Sequence, residues 1–96
     1  MTGDEILAVL HDFKRDCAER YGILELGIFG SYARDEARED SDVDIVFIAT
    51  EPNLFRTVRM KEALESLLDR HVDVVRWRES MNPRLKARIA REVRYV

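Results

Sequence analysis

With a single cysteine, Cys17, the chain has no partner for an internal disulfide, which points to a reducing compartment. No apolar run nears the roughly 20 residues that a membrane-spanning helix needs. Asp4 and Glu5 stand ahead of Ile6, so the basic start and apolar centre of a signal peptide are also missing. The expectation is a cytoplasmic protein that does not engage a membrane. Nor is there a basic excess: 16 Lys and Arg against 19 Asp and Glu give a net charge of -3, which argues against a general nucleic-acid coat and against direct nucleic-acid binding. Neither G-x-x-x-x-G-K-[ST] nor G-x-G-x-x-G occurs, so the phosphate-loop ATPase and dinucleotide-fold readings lack their signatures. Repeats, linkers and low-complexity segments are absent as well.

What is present is apolar enough to fold. Of the 96 residues, 46% are hydrophobic and 36% charged, the balance of one globular domain spanning residues 1–96 with a heavily charged surface. Thr2 and Glu5 have capping-box spacing, and Ile6, Leu10, Phe13 and Cys17 follow at helical intervals, predicting a helix from about Gly3 to Arg20 that ends at Tyr21-Gly22. Cys17 falls on its apolar face and His11 off it. Ile23 to Phe29 reads as a strand with Leu24, Leu26 and Ile28 on the inner face. A short helix is expected over Tyr32 to Arg38, packed through Ala33 and Ala37.

Val43 to Ile48 is the second strand. Asn53 caps a further helix whose stripe is Leu54, Val58, Leu64, Leu67 and Leu68. Val72 to Trp77 is the third strand, and Asn82-Pro83 opens a last helix lined by Leu85, Ile89 and Val93. Tyr95-Val96 is left as a short strand or a frayed end. The order predicts an α/β (α+β) layer: a small mixed sheet of three to four strands with helices packed on it. Part of that sheet is expected to be antiparallel, because the link from Phe29 to Val43 is short for a full crossover. His71 is read as a loop histidine. The basic residues between Arg76 and Arg94, faced only by Glu79 and Glu92, are read as a solvated or partner-facing surface.

The chemistry concentrates in one place. Gly30-Ser31-Tyr32-Ala33-Arg34 turns the chain out of the first strand, and Ser41-Asp42-Val43-Asp44 leads into the second. Residues two apart in a strand share a face, so Asp42 and Asp44 project together. Like charges about 4 Å apart repel by roughly 4 kcal/mol at an effective dielectric near 20, which a proton or a cation must relieve. Asp73 is a third acid, set among Val72, Val74 and Val75 where a strand favours apolar residues. If the second and third strands are neighbours, three carboxylates converge into an oxygen-ligand site suited to Mg²⁺. Gly30 and Ser31 offer a close-approach turn for phosphate, and Arg34 a further positive charge.

These residues resemble the signature of the minimal nucleotidyltransferases of the DNA polymerase beta-like superfamily. The resemblance implies that Asp42 and Asp44 ligate two Mg²⁺ ions bridging ATP, and that Asp73 completes the site and helps activate an attacking hydroxyl. It implies that Gly30 and Ser31, with Arg34 and Ser41 beside them, hold the nucleotide while pyrophosphate leaves. Asp35 departs from the family, which often has glycine there. Chains of this size in the family are typically antitoxins paired with a HEPN ribonuclease toxin, and transfer AMP to a tyrosine of that partner. Three alternatives stay open: a small-molecule acceptor, an RNA acceptor, and a non-catalytic antitoxin that neutralises by binding. With no room for an acceptor domain, either a second protein supplies the acceptor or a homodimer builds the pocket.

Overall fold

Helix α1 (Gly3–Tyr21) begins where the capping box places it. Thr2 Oγ1 accepts from the Glu5 amide at 3.2 Å and the Thr2 amide donates to Glu5 Oε1 at 2.9 Å, a reciprocal cap worth about 1 kcal/mol. Gly22 closes the helix in the left-handed region, at φ 66°, where it also donates to the Ala18 and Glu19 carbonyls. The computed structural model describes residues 1–96 and continues with β1 (Ile23–Phe29), β2 (Val43–Ala49), α2 (Leu54–Leu68), β3 (Val72–Arg76), α3 (Pro83–Glu92) and β4 (Arg94–Tyr95). No helix is long and apolar enough to cross a membrane.

The strands form one mixed sheet in the order β3-β2-β1-β4. β1 pairs antiparallel with both β2 and β4, while β2 and β3 run parallel across the α2 crossover. Strand periodicity then sorts side chains onto two faces. Ile28, Val43, Ile45, Phe47 and Val72 lie on the face covered by α1 and α2, where they join Ile6, Leu10, Met60 and Leu64 in the main core. Phe29 and Val46 lie on the other face and pack with Met81 and Ile89 of the α3 region. Asp44 is registered with Phe29 on one side and Asp73 on the other, so both acids belong to this second face.

Three expectations need correction. Residues 32–38 form no helix: the chain makes successive turns, with the Arg34 amide donating to the Gly30 carbonyl and the Glu36 amide to the Ser31 carbonyl. Asp35 stops them by adopting φ 58°, a conformation that glycine takes without steric cost. The turns are pinned instead by Tyr32, whose ring is buried in the main core and whose hydroxyl accepts from Arg70 Nη1 at 3.0 Å. Leu24 is exposed, because a register shift between Ile23 and Glu25 breaks the alternation of β1 against β2. On α2 the buried row is Met60, Leu64 and Leu68, spaced i, i+4, i+8, and Leu54, Val58 and Leu67 stay outside. Only the middle and end of α2 reach over the sheet.

The remaining elements agree with expectation. Asn53 and Asn82 accept from the first amides of α2 and α3, and Pro83 opens α3. Cys17 is a free thiol half-buried against the main core, and His11 is exposed. The C-terminus does not fray; β4 pairs through Gly27↔Tyr95 and Ile28↔Arg94. A Cβ on Gly27 would sit 2.6 Å from the Arg94 carbonyl oxygen, so this close approach requires glycine. Gly27→Ala is expected to lift β4 off the sheet, costing about 1–3 kcal/mol as overpacking does. Chemical denaturation and faster amide exchange over residues 94–96 would check it; unchanged exchange there would contradict it.

Candidate active site

The parallel register of β2 and β3 assembles the acidic cluster. Val43 is opposite Val72 and Asp44 opposite Asp73, and one step earlier the chain sets Asp42 beside His71. Asp42, His71 and Asp73 each offer a ligand atom, and these atoms lie within 4.8 Å of one another. His71 Nδ1 stands 3.3 Å from Asp42 Oδ1. The histidine is thus part of the cluster and not only a loop residue. Its signal was its position: the residue before β3 has the same facing as Asp73.

Asp44 lies on the same face but leans toward β1. Its carboxylate fills the space beside Gly30, where any Cβ would collide with it, and Gly30 holds φ 75°. Burial pushes the Asp44 carboxyl above the usual carboxylate range, and the charges of Asp73 and Asp42 push the same way. The Arg88 and Arg34 guanidinium groups oppose the shift without cancelling it. The donors close enough to share one cation are Asp42, His71 and Asp73, a set of two carboxylates and an imidazole that fits a divalent ion, and Asp44 flanks that group on the same face.

The Gly30–Arg34 turn closes the other side. Arg34 Nη1 donates to Glu92 Oε1 at 2.7 Å and Arg34 Nε to Glu36 Oε2 at 3.1 Å, which raises the guanidinium pKa further. The Gly30 amide donates to Glu92 Oε2 at 3.1 Å. Burial alone would raise the Glu92 carboxyl, but the hydrogen bonds from Arg34 and Gly30 and the nearby Arg88 charge hold it below its ordinary range. Ser31 sits half-exposed at the turn. Ser41 serves the connecting loop, its hydroxyl accepting from the Arg38 amide at 2.9 Å.

Two residues of α3 belong here that sequence reasoning left on a solvated or partner-facing surface. Arg88 places its guanidinium carbon 5.6 Å from the Phe29 ring centroid and its Nε 3.3 Å from Glu92 Oε2. Helical spacing gave the only clue, since Arg88 and Glu92 are i and i+4 on a helix whose Ile89 is buried. Nothing in the sequence alone says that this helix packs on the acidic face.

The family described as nucleotidyltransferase domain matches residues 10–96. The protein adenylyltransferase MntA of Thermococcus cleftensis is 42% identical over 97 residues, covering 100% of this chain and 97% of its own. A solved structure described as a minimal nucleotidyltransferase superposes with a TM-score of 0.81 at 38% identity, covering 98% of this chain and 95% of the other. A chain from the complex of tri-AMPylated Shewanella oneidensis HEPN toxin with MNT antitoxin superposes with a TM-score of 0.71 at 20% identity, over 98% and 71% of the two chains.

A raised folded-state pKa means that Asp44 stabilises the fold only while protonated, below its unfolded value near 3.8. That contribution is lost as pH rises through the higher folded value, so at pH 7 the ionised group costs stability. Asp44→Asn is expected to raise the metal-free thermal midpoint at pH 7 by roughly 2–4 °C, a figure discounted for solvent screening. The gap should close as pH falls toward 3.8, and the variant should lose the stabilisation that Mg²⁺ with ATP is expected to give the parent protein. Melting curves with and without both ligands decide it; an unchanged response to metal removes Asp44 from the site.

Proposed function

The chain belongs to the nucleotidyltransferase-domain family, and on that premise we propose that it is an antitoxin that transfers AMP from ATP to a tyrosine hydroxyl of a HEPN ribonuclease toxin and so disables it. The observation that carries the reading is the register of β2 against β3, with Asp42, Asp44 and Asp73 on one face and Asp44 against Gly30 of the turn. The relationship to an MntA adenylyltransferase along the whole chain supports the reaction class, and the likeness to an antitoxin chain complexed with an AMPylated HEPN toxin supports the partner.

In this reading Asp42, Asp44 and Asp73 hold two Mg²⁺ ions. Bound there, the ions supply charge neutralisation of the phosphates and of the oxygens that enter and leave at phosphorus. The chain's own groups do the rest. The Gly30-Ser31 turn receives the β- and γ-phosphates, and Arg34 from the same turn and Arg88 from α3 balance their charge. His71 steadies the Asp42 carboxylate, and Ser41 fixes the loop that delivers it. Asp73 lies on the edge strand, where an acceptor can approach from solvent, and takes the proton of the tyrosine hydroxyl. The hydroxyl oxygen bonds to the α-phosphorus of ATP as the bond to the bridging oxygen breaks, and pyrophosphate departs with that oxygen.

Intact-mass spectrometry of a co-expressed HEPN partner, incubated with this protein, ATP and Mg²⁺, tests the proposal. The partner should gain AMP increments, and Asp42→Asn or Asp73→Asn should slow their appearance by at least about 10²-fold, the usual effect of losing a positioned acid–base or electrostatic group. Incorporation that persists in both variants would falsify the assigned roles. A partner that is neutralised without gaining mass would instead favour binding alone.

A further inference from the structure

Glu92 is an anion held by donors that a nucleotide would also need. The Gly30 amide, Arg34 Nη1 and Arg88 Nε all point at its two carboxylate oxygens, at 3.1, 2.7 and 3.3 Å. The side chain is only 12% exposed. It sits in the last turn of α3, where the helix dipole disfavours negative charge, so its carboxylate is held by these three donors, Arg88 one turn back on the same helix and Gly30 and Arg34 from the turn after β1. One backbone N–H and two guanidinium groups around a two-oxygen anion is the donor set that a phosphate group recruits.

We infer that Glu92 is an internal stand-in for phosphate, which occupies part of the anion site of the free protein and sets nucleotide affinity by competing with the triphosphate for the Gly30 amide and Arg34. The inference rests on the nucleotide reading of this site. Without a ligand, the carboxylate keeps the Gly30 amide satisfied and holds two like-charged arginines in place. With a ligand, the same contacts must be surrendered, and Glu92 swings toward solvent from the end of its helix. The competition works in both directions: once pyrophosphate is formed, Glu92 retakes the donors and hastens its release. Glu92 touches no reacting atom and is a positioning residue. Its signature is the sign of the affinity change, because a merely structural contact would weaken binding when lost.

Titration calorimetry on the parent protein and Glu92→Gln, with Mg-ATP and with inorganic tripolyphosphate as probes, tests this. The variant keeps the shape of the side chain and loses its charge. It should bind both probes about tenfold more tightly, the scale of one charge-assisted hydrogen bond released. Equal or weaker binding by the variant, with the parent protein binding Mg-ATP, overturns the competition and leaves the nucleotide site standing. Absence of Mg-ATP binding in both proteins removes the nucleotide site, and the competition with it. Should the variant not fold, hydrogen exchange of the parent protein decides. Adding tripolyphosphate with Mg²⁺ should speed amide exchange in residues 89–92 as Glu92 is let go, and unchanged or slowed exchange overturns the inference.

Discussion

Two aspartates face each other across adjacent parallel strands, and the rest of the structure is arranged around that repulsion. Asp44 and Asp73 are registered partners, with Asp42 and His71 one step outside them. A sheet position normally favours β-branched apolar residues, and like charges directly opposite are destabilising. The fold tolerates the arrangement because it sits where the sheet meets solvent, while the apolar residues of the same strands carry the core on the other face. In the proposed reading, the stabilisation that the acids forfeit in the free protein is what a bound cation would restore.

Helix α3 supplies the counterweight. It packs on the same sheet face through Ile89 against Phe29 and Val46, brings Arg88 over Phe29 and near Asp44, and places Glu92 against the glycine turn. The site is therefore built from both ends of the chain: β1 and its turn, the β2–β3 pair, and a C-terminal helix tied down by β4 pairing with β1. Charge alternates across it, from the aspartates through Arg88 and Arg34 to Glu92. Arg34 and Glu92 are paired across two elements and Arg88 stands between Glu92 and Asp44, so a ligand that engages one of these groups disturbs the others.

Much of the fold was legible because it depends on local signals. The Thr2–Glu5 box, the asparagine caps and the period-2 and period-3.6 apolar patterns each act within a few residues of themselves. The misreadings have a common cause. Over 32–38 the alanines satisfied a helical pattern, but Tyr32 was drawn into the core and Asp35 took a left-handed conformation, both tertiary demands. Leu24 was misplaced by a shift in pairing with β2, and the outer leucines of α2 by the limited reach of the sheet beneath them.

By itself the sequence determined which residues could carry the chemistry. Carboxylates two apart at a strand entry, an acid inside a valine run and a glycine-serine turn are anomalies of residue type, and these can be seen without coordinates. Only the tertiary structure decided how they meet. It set the β2–β3 register that pairs Asp44 with Asp73, brought His71 beside Asp42, and laid Arg88 and Glu92 over the site. Register and helix docking arise from the simultaneous burial of many distant apolar side chains. No short stretch of chain contains that information.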